Sequence, residues 1–211
     1  MKRRTLLALP LLALVSGPAV AAGMALTAQD QADIARIEAY LNGLHTLKAR
    51  FLQVAPDGGT SGGIAWMERP GRMRFQYDKP SPLLLVAGHG LLVYYDRELR
   101  QTSNIPLGAT PLGLLLQDNL KLSGDVTVTG IERQPGQIQI TLVRTRSPGD
   151  GSLTLVFADN PLALRQWVVM DSRQQETQVS LFNVELGGTF NPDMFTFIDP
   201  KLQPGGDTYY Q

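Results

Sequence analysis

The chain has 211 residues, 43% hydrophobic and 18% charged, with 21 Gly, 14 Pro and no Cys. That length suits one domain with a sizeable core, and a charged fraction below the usual ~25% argues against a disordered or nucleic-acid-coating chain. The missing cysteines exclude disulfide scaffolds, thiolate zinc sites, cysteine nucleophiles and lipid attachment to a cysteine.

The first element is a leader. Lys2-Arg3-Arg4 precede an apolar run from Leu6 to Val15, which Ser16-Gly17-Pro18 ends, and Ala19-Val20-Ala21 supplies an A-x-A cleavage pattern. A basic segment, a short apolar run and small residues at the cut describe a secretory signal peptide over 1–21. The run is too short to anchor the chain in a bilayer. Cleavage after Ala21 removes three of the nineteen basic residues, leaving sixteen against nineteen acidic ones. The formal net charge of zero therefore belongs to a precursor, and the exported chain is mildly acidic. Residues 22–211 are expected to form a single domain.

A helix is expected over about 28–44. Ile34, Ile37, Leu41 and Leu44 recur at spacings of three and four, Thr27 suits the N-cap, and Asp30 sits near the positive helix end. The period then falls to two. Ala49, Phe51 and Gln53 alternate with Lys48, Arg50 and Leu52; a Pro56–Gly59 turn follows, and Ile64–Met67 restart a strand. In Arg72–Tyr77, Met73, Phe75 and Tyr77 share one face while Arg72, Arg74 and Gln76 share the other. Leu83–Val86 and Leu91–Tyr95 flank Gly88-His89-Gly90 as a hairpin. Later strands are expected near 98–104, 125–131, 137–145, 152–157, 163–170 and 176–186. Between the first and second of these, Thr110-Pro111 opens a short leucine helix weakened by Gly113. Hairpin-length connections without crossover helices imply antiparallel order.

Signatures of catalysis are weak. His45 follows the first helix and His89 sits in a turn, and neither belongs to a metal-ligand spacing, so no metal or cofactor is expected. Gly59-Thr60-Ser61-Gly62-Gly63 matches G-x-S-x-G, but that motif needs a strand entering and a helix leaving. Here a Gly-rich hairpin loop precedes a strand. A serine hydrolase using Ser61 with His89 is thus the alternative from another class. Nucleic-acid binding is disfavoured by the acidic mature chain, whose one tight basic cluster is Arg69, Arg72 and Arg74. The apolar faces are more informative. Met73, Phe75 and Tyr77, then Leu84 and Val86, then Tyr94 and Tyr95 make a broad surface, under which lies either an ordinary core or a lipid-sized cavity with a helical cover.

Several blocks resemble the periplasmic outer-membrane lipoprotein carrier family, LolA. Phe51-Leu52-Gln53 is similar to its F-x-Q. Trp66–Tyr77, with Arg69-Pro70 inside it, resembles its aromatic-x-x-R-P block followed by an alternating strand. Leu84-Leu85-Val86 and Tyr94-Tyr95-Asp96 match the paired strands that follow. Thr110–Leu116 stands where the family carries its cover helix, and Phe195-Thr196-Phe197 with Pro200 resembles the ending. Gly88-His89-Gly90, Val93 and Met73 depart from the usual Asp-Gly, Trp and aromatic.

The resemblance implies a mainly β fold, an unclosed antiparallel β-barrel of about eleven strands covered by short α-helices. It implies a periplasmic monomer that catalyses no reaction and binds no nucleotide. Acylated lipoproteins would be its cargo, taken from an ATP-driven release complex of the inner membrane and passed to an outer-membrane acceptor. Arg69 falls on the family's lid latch, and its guanidinium has the five donors needed to satisfy carbonyls at a helix end. Met67, Met73, Phe75, Tyr77, Leu84, Val86 and Tyr94 are the expected acyl-chain cavity, and Pro111, Leu112, Leu114 and Leu115 the lid. A carrier for another lipid is a further alternative.

Overall fold

The computed structural model describes residues 25–202, so the expected leader lies outside the described residues. Helix α1 (Ala28–Gly43) starts where the sequence places it. The Thr27 hydroxyl accepts from the Asp30 N–H, and the Asp30 carboxylate accepts from the Thr27 N–H, a reciprocal capping box. These bonds and Arg133 hold the Asp30 carboxyl down at about 2. Ile37, Leu41 and Leu44 are buried, as their spacing requires.

Eleven strands follow in one sheet: β1 (Thr46–Val54), β2 (Thr60–Glu68), β3 (Arg72–Tyr77), β4 (Leu83–Gly88), β5 (Leu91–Asp96), β6 (Gln101–Pro106), β7 (Val126–Gln134), β8 (Gln137–Arg144), β9 (Gly151–Ala158), β10 (Ala163–Asp171) and β11 (Glu176–Leu186). Their spatial order is β6-β5-β4-β3-β2-β1-β11-β10-β9-β8-β7, every neighbour antiparallel. The sheet curls but does not close, because β6 and β7 are both edges. Register shifts at Lys48/Arg50, Val128/Gly130 and Leu164/Gln166 bend it, as bulges do by adding a residue to one side of a ladder.

Two strands differ from the sequence reading. The stretch Thr60–Gly63 is paired strand rather than loop. A Cβ on Gly63 would lie 2.1 Å from the Gln76 carbonyl and 2.8 Å from the Phe51 ring. Its glycine therefore lets Phe51 pack flat onto the sheet, not turn the chain. β6 begins at Gln101 rather than 98, since Arg97–Arg100 form the turn. The hairpin at His89-Gly90 is as expected, with φ +50° and +78° in the two turn residues.

Helix α1 plugs one end of the barrel. Its side chains reach the strand ends there: Arg36 bonds Asp159 after β9, the Tyr40 hydroxyl accepts from the Leu164 N–H at the start of β10, and Arg133 near the end of β7 bonds Asp30 and Asp33. The chain from β6 to β7 crosses the gap between the two edges. It contains a 3₁₀ turn (Leu107–Ala109) and helix α2 (Leu112–Leu115).

Candidate functional site

The concave face is built by period-two alternation. Met73, Phe75 and Tyr77 of β3 point inward with Ala49 and Phe51 of β1, Ala65 and Met67 of β2, and Val179 and Leu181 of β11. The aromatic rings interlock edge to face. Phe51 lies 4.6 Å from Phe75 and 5.1 Å from Tyr77, and Phe75 lies 6.0 Å from Trp167. Such pairs add roughly 0.5–1.5 kcal/mol each beyond the area they bury. The Tyr77 hydroxyl donates to Gln53 Oε1 at 2.7 Å. Burial pushes the Tyr77 phenol above its usual pKa; Tyr94 adds to this and the Gln53 bond opposes it.

Beside this cluster is a cavity of about 240 Å³. Phe75, Tyr77, Leu85, Leu92, Trp167 and Val179 form its walls, and Thr110, Pro111 and Leu112 roof it. Pockets for drug-sized ligands run ~300–1,000 Å³, so this cavity is smaller than that range.

The roof is an arch. Leu107 N–H donates to the Gly90 carbonyl at its start. At its apex the Thr110 hydroxyl accepts from the Gly113 N–H at 3.1 Å, so Thr110 caps as its residue type suggests, although Pro111 precedes the helix proper rather than opening it. Gly113 packs back onto the turn: a Cβ there would lie 2.2 Å from the Leu107 carbonyl. The descending limb, Leu114–Leu122, buries Leu114, Leu115, Leu116, Leu120 and Leu122.

Arg69 opens the turn after β2 and its side chain is buried. It is 8% exposed, and its Nε donates to the Gln117 carbonyl at 3.0 Å, its Nη2 to the Gln117 and Asp118 carbonyls. Burial lowers its pKa, with the Asp118 charge opposing. Sequence reading missed three partners of the same limb. Gly71 N–H donates to the Leu116 carbonyl at 2.8 Å. Asn42 clasps Leu120 through both its amide atoms, and Glu38 Oε1 accepts from the Leu122 N–H. Arg144, also missed, donates from Nη2 to the Thr110 carbonyl at 3.2 Å, while its Nε is buried without a hydrogen-bond partner.

The expected site residues fall out as follows. Phe75 and Tyr77 line the cavity, and Met67 and Met73 sit on the same face in the packed part of the core. Tyr94 pairs opposite the cavity residue Leu85 on the inner face and is 36% exposed. Leu84 and Val86 are a correction. Phe75 pairs with Leu85 and Met73 with Ala87, so Leu84 and Val86 point to the outer face. There they pack with Tyr95 and Phe197 under the C-terminal segment, which Arg74 and Thr102 tie down through the Met194 carbonyl and Asp199. Leu85, Leu92 and Trp167 take their place in the cavity.

Ser61 pairs with Gln53 near one end of the sheet, whereas His89 lies at the other end, beyond the Met73–Ala87 pair. The two cannot form a dyad, and Ser61 sits on a strand rather than a strained elbow. Both histidines are exposed. Among the described residues no group of three His, Cys, Asp or Glu side chains could hold a metal ion, and no helix is long and apolar enough to cross a membrane.

An unclosed antiparallel barrel, plugged at one end and with a short helical arch over an apolar pocket, defines a mainly β protein of the carrier type. The model of the family described as "Outer membrane lipoprotein carrier protein LolA" matches residues 42–198, and the chain belongs to this family of carriers, not enzymes. It is 29% identical over 174 residues to the outer-membrane lipoprotein carrier protein of Methylococcus capsulatus, covering 78% of this chain and 83% of that one. It is 30% identical to the carrier of the same name from Pseudomonas syringae pv. syringae, over 82% of this chain and 86% of that one. Among solved structures, a LolA superfamily protein from Nitrosomonas europaea aligns with a TM-score of 0.43 and 9% identity, over 78% of this chain and 97% of that one.

Proposed function

We propose that the protein, after cleavage at Ala21, is a monomeric periplasmic carrier. It takes acylated lipoproteins from an ATP-driven release complex of the inner membrane and delivers them to an outer-membrane acceptor. The observation that carries this reading is an apolar cavity too small for long chains, roofed by a leucine-bearing arch that polar bonds hold shut.

The arch makes a two-state switch. Closed, Leu112 and the neighbouring apex cover the aromatic wall, a gain of ~25 cal/mol per Å² of apolar surface removed from water. Acyl chains entering the cavity bury the same wall, so hydrophobic burial is exchanged rather than created. The polar latch then sets the difference between states, and the opening cost is subtracted from cargo affinity. Delivery depends on that cost. A strong latch excludes cargo, and a weak one retains it.

Arg69 holds the foot of the arch and so fixes where its apex rests; Arg69→Leu is expected to leave the fold intact, to loosen the apex and to tighten cargo binding. Hydrogen bonds from a charged group contribute ~1.5–3 kcal/mol, which caps the gain at roughly 10- to 150-fold in affinity. Transfer to the acceptor then falls. Transfer by Arg69→Leu at the wild-type rate in a reconstituted assay would remove the latch from the account. The cargo class is tested by mass spectrometry of the protein recovered from periplasm. Bound triacylated lipoproteins are the expected result; another lipid as the dominant species would overturn the reading.

A further inference from the structure

The cavity has a polar collar with one charge. Opposite the end plugged by α1 it is bounded by Gln53 near the end of β1, Thr177 near the start of β11 and Asp171 at the end of β10. All three are half-exposed, while the walls below them (Phe75, Tyr77, Trp167 and Val169 among them) are aromatic or aliphatic. Asp171 is the single charged side chain among the described residues lining the cavity. Its Oδ1 is held rigidly, accepting from the Arg173 and Gln175 N–H groups at 2.8 Å. The guanidinium of Arg144 lies on the lid side, where it is directed at the Thr110 carbonyl.

We propose that this collar is a headgroup subsite that selects uncharged, amide- or ester-linked acyl heads and rejects anionic ones. This rests on the carrier reading, in which acyl chains fill the cavity. With the plugged end blocked by α1, the chains point inward from the collar and the group that joins them stops at Asp171. Amide N–H groups are donors for the Gln53 and Thr177 side-chain oxygens and for the carboxylate. A fatty-acid carboxylate or a phospholipid phosphate placed there meets a fixed like charge in a half-dry site, where repulsion is strong compared with bulk water. The acylated amino terminus of a lipoprotein carries no such anion. The collar thereby separates cargo from the free fatty acids and anionic phospholipids that share its chains.

The test is displacement of a bound lipophilic fluorophore by laurate and by its uncharged amide, lauramide, each below its aggregation concentration. The wild-type protein should favour lauramide by about tenfold. Asp171→Asn, which keeps the turn-capping oxygen and removes the charge, should bring the two ligands to within about twofold, at an unchanged melting temperature. Equal displacement by both ligands in the wild type, or a preference that survives in Asp171→Asn, overturns the collar alone. Displacement by neither ligand overturns the acyl-binding cavity on which it rests.

Discussion

The apex and the descending limb of the arch are both leucine-bearing, yet they are held very differently. The descending limb is buried and is tied by Arg69, Gly71, Asn42 and Glu38 to two different elements, the β2–β3 turn and α1. The apex, Thr110–Leu112, roofs the cavity and, among the described residues, meets the sheet through one bond from Arg144, whose Nε is left buried and unpaired. A buried polar atom without a partner raises the cost of that state. Opening is therefore cheapest at the apex, with the descending limb as its fixed foot. One lid divides into an anchor that keeps the fold together and a roof that can be displaced.

Several substitutions would break or sharpen this contrast. The largest effect is expected in the anchor, where Leu115 is fully buried. Leu115→Ala should cost ~2–5 kcal/mol and lower the melting temperature by on the order of 10 °C, as read by calorimetry. A change of only a degree or two would mean that the limb is not core. Asn42→Ala removes both bonds to Leu120 and should cost ~1–3 kcal/mol, since the Leu120 N–H and carbonyl lose their partner away from solvent. Chemical denaturation measures it, and an unchanged midpoint would show that α1 does not clasp the lid. Arg144→Gln should lower stability by no more than ~0.5–1.5 kcal/mol, yet tighten fluorophore binding up to about tenfold, because that amount is removed from the closed state. Weaker binding would reverse the assignment of the apex as the moving part.

The smallest expected effect lies at the start of α1. The folded-state pKa of Asp30 is lowered from 3.8 to about 2. Its contribution is therefore present above pH ~4 and lost as pH falls through about 2. Amide protection in the first turn of α1, taken relative to the intrinsic exchange rate at each pH, should fall over that window in the wild type and stay constant there in Asp30→Asn. The same fall in both would assign it to another carboxylate.

Much of this was legible in residue order, and the exceptions have physical causes. β3 declares its faces because aromatic and methionine side chains alternate with Arg72, Arg74 and Gln76. β4 does not, since Leu83–Ala87 is apolar at every position. The barrel interior covers one face and the C-terminal segment the other, so the alternation that would assign Leu84 and Val86 is absent. Gly62-Gly63 looks like a turn because glycine's commonest use is conformational. Here a close approach of Phe51 and the Gln76 carbonyl requires it. Arg69 was visible through its family block. Asn42, Glu38 and Arg144 were not: a polar residue on an amphipathic helix, or an arginine at a strand end, looks solvent-facing until the loop it holds has been placed. Trp167 is followed by Val168, Val169 and Met170, so no alternation marks its face, and only the sheet order brings it to Phe75.

Hydrogen–deuterium exchange with and without a synthetic tripalmitoyl-cysteinyl peptide tests the division of the arch most directly. The Gly113 amide, bonded to Thr110 in the apex, should lose protection when the peptide fills the cavity. The amides of Gly71, Leu120 and Leu122, which bond the descending limb to its anchors, should keep theirs. Loss of protection across both sets, or retention at Gly113 with peptide bound, would contradict a lid that opens at its apex on a fixed foot.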